Sequence, residues 1–142
     1  GDGDEAYRDS VKAAIGEKRL TDWVFWQKKA PQYQMKGVYQ QADFFLLPTE
    51  YEIFGMVLLE AMFFRRVVLT TPNGGADMLL RSGENGIVLE KSDPARWAEA
   101  LLDVAADPAK KARMEQAAYE TVIHENTWDA LADRFLKGYE TR

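Results

Sequence analysis

Two glutamates, Glu52 and Glu60, stand with seven residues between them in the stretch Glu52-Ile53-Phe54-Gly55-Met56-Val57-Leu58-Leu59-Glu60. A helix from about Gly55 to Phe64 is apolar on every face except at Glu60. Such a helix is expected to be buried. A lone carboxylate there costs on the order of several kcal/mol unless it has a partner or faces a polar cavity. Ligand hydroxyls are suitable partners, because they donate hydrogen bonds to a carboxylate. With Gly55 opening the helix, the N–H groups of Gly55, Met56 and Val57 can point outward and hold a diphosphate. A simpler reading also stands on these residues alone: Glu52 solvated in a loop, Glu60 paired with Arg65 or Arg66, and the glycines acting as turns.

These residues need elements to position them. Asp43–Leu47 is a continuous apolar run closed by Pro48, which predicts a buried parallel strand. Val67–Thr71 and Ile87–Leu89 predict two more strands, and Pro72-Asn73-Gly74-Gly75 a tight turn, with a short helix over Ala76–Leu80. Strand, helix, strand, helix, strand is α/β order with a parallel sheet. Glu52 follows the first strand and Gly74-Gly75 the second, so both loops open on the carboxyl rim, where ligands bind such sheets. Upstream, Glu5–Lys18 is an amphipathic helix with Val11, Ala14 and Ile15 on one side, Trp23–Trp26 a short β-rich run, and Gln32–Gln41 a short helix. Downstream the chain is helical. Asp93-Pro94 and Asp107-Pro108 each place a cap before a proline at the first helical position. A last helix starts at Thr127, with Trp128, Leu131, Ala132, Phe135, Leu136 and Tyr139 at i, i+3, i+4, i+7 spacing.

The chain's 142 residues suit one domain, and 46% hydrophobic content is enough for a core. A net charge of -5, from 18 basic and 23 acidic residues, argues against a nucleic-acid surface. With no cysteine there is no disulfide framework and no thiolate chemistry. The longest apolar run, Met56–Phe64, is far short of a membrane span and contains Glu60. The chain opens on Gly1-Asp2-Gly3-Asp4, which is expected to be a loop at the start of a fragment.

The spacing of Glu52 and Glu60 resembles the E-x7-E motif of retaining GT-B glycosyltransferases, group 1 (family 4). The likeness continues through Glu60-Ala61-Met62, Val67-Val68-Leu69, Gly74-Gly75, Gly83–Leu89 (GENGIVL), and Asp93-Pro94 with Trp97-Ala98. Gly1-Asp2-Gly3, Tyr39–Thr49 and Thr127-Trp128 add to it, so it covers essentially the whole chain in order. It implies a Rossmann-like parallel sheet with flanking helices: residues 1–142 as a partial nucleotide-sugar-binding domain, the N-terminally truncated C-terminal domain of a GT-B enzyme. It implies that Glu52 is the catalytic-side glutamate contacting the transferred sugar. The amides of Phe54, Gly55, Met56 and Val57 then hold the diphosphate and sugar, Glu60 the ribose, and Gly74 and Gly75 line the rim. The implied partner is a nucleoside diphosphate sugar, with no metal and no cofactor. The acceptor would bind an N-terminal domain outside this sequence, through which peripheral membrane association could also occur. The implied place is the cytoplasm, in polysaccharide or glycolipid synthesis, and the chain alone should not transfer sugar. GT-B epimerases and phosphorylase-like enzymes, or a non-catalytic interaction domain, share these features.

Arg65 replaces a glycine usual in the family, Val67 a proline, and Met78 a common glutamate; these positions are expected to line the fold more than the donor. Asp2-Gly3-Asp4 spells D-x-D, a metal motif of another glycosyltransferase fold, but is expected to be a solvated loop. Most of Trp23, Trp26, Trp97 and Trp128 are expected to pack in the core or between domains. His124, Lys28-Lys29 and Arg65-Arg66 have ordinary structural readings near helix ends or in loops.

Overall fold

The computed structural model describes residues 4–27, 29–91 and 93–140, without the side chains of residues 134, 135 and 138–140. Gly1, Asp2, Gly3 and Lys28, and the side chains of Phe135 and Tyr139, therefore lie outside the described residues. The chain divides into two compact units, with the boundary in sequence between Lys36 and Gly37.

The first unit carries α1 (Glu5–Glu17). Asp4 caps it, its side chain accepting from the Tyr7 amide at 2.8 Å. Val11, Ala14 and Ile15 are its half-buried stripe. The β-rich run Trp23–Trp26 is not a strand: Trp23 and Val24 donate their amides back to the Leu20 carbonyl in a turn. A strand is stabilised by a neighbour's ladder, and the described sheet contains no partner for this segment. Trp23 and Phe25 are accordingly exposed. The helix α2 (Gln32–Gln41) spans the junction of the two units.

The second unit is a three-stranded parallel sheet in the order β1 (Phe44–Leu47), β2 (Val67–Thr70), β3 (Ile87–Val88). Phe44 pairs with Val67 and Leu69 with Ile87. Every residue of the central strand β2 is buried. β1, expected to be buried, is only half-buried, and Leu46 is exposed, because it forms the edge of the described sheet. Between the strands lie α3 (Met56–Phe63) and α4 (Gly74–Leu79). After them come α5 (Pro94–Ala106), α6 (Pro108–Glu125) and α7 (Trp128–Glu140). Asp93 and Asp107 cap α5 and α6 by accepting from the amides of Arg96 and Lys110. Thr127 does the same for α7 through Ala130.

The core forms where β2 meets α5 and α6: Val67, Leu69, Trp97, Val104 and Met114 pack together, with Phe44, Ile87 and Leu89 around them. Trp97 fills this core and donates its indole N–H to the Glu90 carbonyl at 2.9 Å. Of the four tryptophans, Trp97 alone packs in this core; Trp23, Trp26 and Trp128, which is 88% exposed, do not. The turn 81–86 is held by Asn85, which is fully buried. Its side chain donates to the Leu79 carbonyl and the Thr121 hydroxyl and accepts from the Arg81 amide.

α3 ends in a Schellman motif: the Arg65 amide donates to Met62 and the Arg66 amide to Ala61. This puts Arg65 in the left-handed region at φ 57. Glycine adopts that conformation without steric cost, which is the physical reason glycine suits the position. The Arg65 side chain offsets part of the strain by lying 4.1 Å over the Tyr119 ring and bonding Gln116.

Candidate functional site

The carboxyl ends of β1 and β2 are tied together by side-chain hydrogen bonds. Thr70 donates to the Leu47 carbonyl at 2.9 Å, and Thr71 donates to the Thr49 carbonyl. Asn73 donates to the Thr70 hydroxyl and the Thr71 carbonyl and accepts from the Ala76 amide at 2.9 Å. Asn73 is thus the N-cap of α4, and Gly74-Gly75 form its first turn rather than a tight turn before it. Sequence reasoning took Asn73 as a turn residue. The missed signal was an asparagine three residues ahead of a helical amide that it can cap.

The two rim loops meet backbone to backbone. A Cβ on Gly75 would lie 2.9 Å from the Gly55 Cα and 3.0 Å from its nitrogen. A Cβ on Gly74 would lie 2.9 Å from the Ile53 carbonyl oxygen. The Gly75 amide reaches the Glu52 carbonyl at 3.4 Å. Gly55, the N-cap of α3, has φ 76 and is buried, a conformation that disfavours any residue with a Cβ. Glycines at 55, 74 and 75 are therefore steric requirements of the contact. The structure brings Glu52, Phe54, Gly55, Gly74 and Gly75 together at this junction.

The Glu52 carboxylate is half-buried and turned onto its own helix entrance. One oxygen accepts from the Gly55 amide at 3.0 Å and the Phe54 amide at 3.2 Å. Two of the four amides that the resemblance assigns to the diphosphate, those of Phe54 and Gly55, are thus already bonded to a carboxylate, which shows that they favour an anion. The amides of Met56 and Val57 belong to the first helical turn, where no intrahelical acceptor is available.

The helix itself differs from expectation. Leu58, Ala61 and Met62 are buried, but Met56 is 56% exposed and Phe63 47% exposed. Met56, Glu60 and Phe63 follow i, i+4, i+7 spacing and share one stripe. Glu60 therefore lies, half-buried, on a partly open face of α3 beside exposed Met56 and Phe63 rather than enclosed on all sides. It is about 6 Å along the axis from Met56, at 1.5 Å per residue. Its carboxylate accepts from the Tyr39 hydroxyl at 2.9 Å. Tyr39 is 3% exposed. Burial first, then the hydrogen bond to Glu60 and its negative charge, raise the phenol's pKa well above the usual range, so it stays a donor. The arginines considered as partners have other bonds: Arg66 reaches the carbonyls of Phe64 and Ala42, and Arg65 reaches Gln116. Tyr39 could not be identified as the partner from sequence, because it lies 21 residues away on another helix.

An apolar groove of about 610 Å³ adjoins the entrance of α3, between Phe54 and Met56, Met78 of α4, and Trp128 and Leu131 of α7. Met78, expected to line the fold, is 62% exposed and borders this groove. Among the described residues no three His, Cys, Asp or Glu side chains gather to hold a metal ion. No described helix is long and apolar enough to cross a membrane.

The family profile of the glycosyl transferases group 1 matches residues 2–121. The chain belongs to the glycosyltransferase group 1 family. Among curated relatives, it is 31% identical over 133 residues to the D-inositol 3-phosphate glycosyltransferase of Thermomonospora curvata. That alignment takes in 92% of this chain but 30% of the relative, so the chain spans about a third of that protein's length. Among solved structures, the sucrose-phosphate synthase of Thermosynechococcus elongatus superposes with a TM-score of 0.82 at 26% identity. That match covers 96% of this chain and 34% of that one. HepE of Anabaena, solved in complex with UDP-glucose, matches with a TM-score of 0.80 at 19% identity, over 99% of this chain and 38% of its own. The α/β fold is that of the Rossmann-like C-terminal domain of GT-B group 1 glycosyltransferases.

Proposed function

We propose that this domain binds a nucleoside diphosphate sugar for retaining transfer of its glycosyl unit to an acceptor hydroxyl. One observation carries the reading: the backbone contact of Gly55 with Gly75 presents a row of helix-entrance amides beside Glu52, and a carboxylate already occupies two of them. The HepE structure, solved with UDP-glucose, supports a uridine-type donor.

On this reading the donor's diphosphate displaces the Glu52 carboxylate from the amides of Phe54 and Gly55 and extends to those of Met56 and Val57. Anion is exchanged for anion, so the amides remain bonded throughout. The released carboxylate then accepts from the sugar hydroxyls. Glu60, on the open stripe of α3, accepts from the ribose hydroxyls, and Gly74-Gly75 floor the rim. The amides stabilise the departing diphosphate, and the carboxylates hold the sugar so that the acceptor hydroxyl attacks the anomeric carbon on the face the diphosphate leaves. No metal takes part. The acceptor is held by a second, N-terminal domain of the full-length enzyme, which works in the cytoplasm on a polysaccharide or glycolipid.

The test is calorimetric titration of the full-length protein with UDP and UDP-glucose, with and without a chelator, alongside the anomeric configuration of the product. Glu52→Gln is expected to bind UDP at least as tightly as wild type, since a competing charge is gone, while turnover falls about 100-fold or more. Loss of UDP affinity in Glu52→Gln, or an inverted product, refutes the scheme. Chelator-sensitive binding refutes the metal-free part.

A further inference from the structure

We propose that Tyr39 is a positioning residue for Glu60, setting how strongly the domain distinguishes a ribose from a sugar without its hydroxyls. The proposal rests on the reading of Glu60 as the ribose-binding carboxylate.

Three contacts hold the phenol. Its ring stacks on Phe64 at 5.5 Å between centroids with 15° between planes, and lies tilted against Phe45 at 5.8 Å. Phe64 caps the C-terminus of α3, and Phe45 is in β1. Packing against both a helix end and a strand leaves the ring little freedom, so its hydroxyl is a fixed point. That hydroxyl donates to Glu60 at 2.9 Å. Glutamate has three rotatable bonds, and side chains of this kind lose substantial rotamer entropy when ordered. A fixed donor settles that cost during folding rather than at ligand binding, which is the physical content of preorganisation. The bond is charge-assisted, and therefore among the stronger kinds. Glu60 lies between exposed Met56 and Phe63 on its own helix face, and neither side chain can direct a carboxylate.

The experiment measures affinity of the full-length protein for UDP and for 2′,3′-dideoxy-UDP in wild type, Glu60→Ala and Tyr39→Phe. Wild type is expected to prefer UDP by about tenfold or more, the value of a charge-assisted hydrogen bond. Glu60→Ala removes that preference. Tyr39→Phe, which keeps the ring and its stacking, reduces the preference about threefold or more while affinity for the dideoxy nucleotide stays at the wild-type value. A preference that survives Glu60→Ala overturns the ribose reading and the proposal with it. A preference lost in Glu60→Ala but intact in Tyr39→Phe overturns the role of Tyr39 alone. Equal weakening toward both nucleotides in Tyr39→Phe shows a structural role only, and also overturns it. Should Tyr39→Phe not fold, ring-fluorinated tyrosine at position 39 keeps the packing and makes the hydroxyl a stronger donor. The preference then shifts from the wild-type value, and an unshifted preference overturns the proposal.

Discussion

Replacing Gly75 by alanine adds one methyl group at the tightest point of the site. Gly75 lies in the first turn of α4, where alanine is ordinarily the better residue by about 0.5–1 kcal/mol. Here the new Cβ would stand 2.9 Å from the Gly55 Cα, 3.0 Å from its nitrogen and 3.1 Å from the Phe54 carbonyl carbon. All three are backbone atoms, so no side chain can swing away, and the loops must separate by several tenths of an ångström. Overpacking of this kind costs about 1–3 kcal/mol, which outweighs the helical gain. Gly37 supplies the control. It also lies in a helix, and a Cβ there meets nothing within 4 Å. Gly37→Ala is therefore expected to stabilise by about 0.5–1 kcal/mol. The two variants should differ by roughly 2 kcal/mol, about one molar in urea midpoint at ordinary m-values. The same separation displaces the Phe54 and Gly55 amides and the Glu52 carbonyl. On the scheme above, UDP affinity then falls about tenfold in Gly75→Ala and is unchanged in Gly37→Ala. If Gly75→Ala unfolds at the same urea concentration as Gly37→Ala, the loops do not meet as described, and the inference from glycine to site geometry is wrong.

Three other substitutions probe the supports. Asn85→Ala leaves the Leu79 carbonyl, the Thr121 hydroxyl and the Arg81 amide without their buried partner. It should cost about 3 kcal/mol or more in urea unfolding; a cost under about 1 kcal/mol contradicts the network. Asp107→Ala removes the bond to the Lys110 amide and should destabilise by about 1 kcal/mol, measured the same way. Tyr39→Phe alters the pH dependence at the alkaline end. The folded-state pKa of the Tyr39 phenol is raised above its ordinary 10.0, chiefly by burial, so its contribution is complete below that pH and is lost as pH climbs toward the folded value. Wild type should therefore lose urea resistance more steeply than Tyr39→Phe above pH 10.0, and parallel slopes would show that the phenol is not held this way.

What could be determined from sequence alone here is what neighbours in the chain decide. α2 occupies the predicted 32–41, and the caps at Asp93 and Asp107 act on amides three residues ahead. Local hydrogen bonds and helical periodicity leave their signature within a few residues. The order of strands and helices, and so the parallel sheet with both loops on one rim, was legible for the same reason. Even within that range Glu52 was expected to be solvated or to contact a sugar, and instead its carboxylate bonds the amides two and three residues on. Tertiary structure alone decided the rest. It set Gly55 against Gly75 across 20 residues of sequence, joined Tyr39 to Glu60, and turned the α3 stripe that carries Glu60 toward the open side. Whether Trp23–Trp26 becomes a strand depends on a neighbour able to complete its ladder, and whether an apolar helix is buried depends on what packs over it. Neither can be read from a residue's own type or its spacing, because the deciding partner lies far away in the chain.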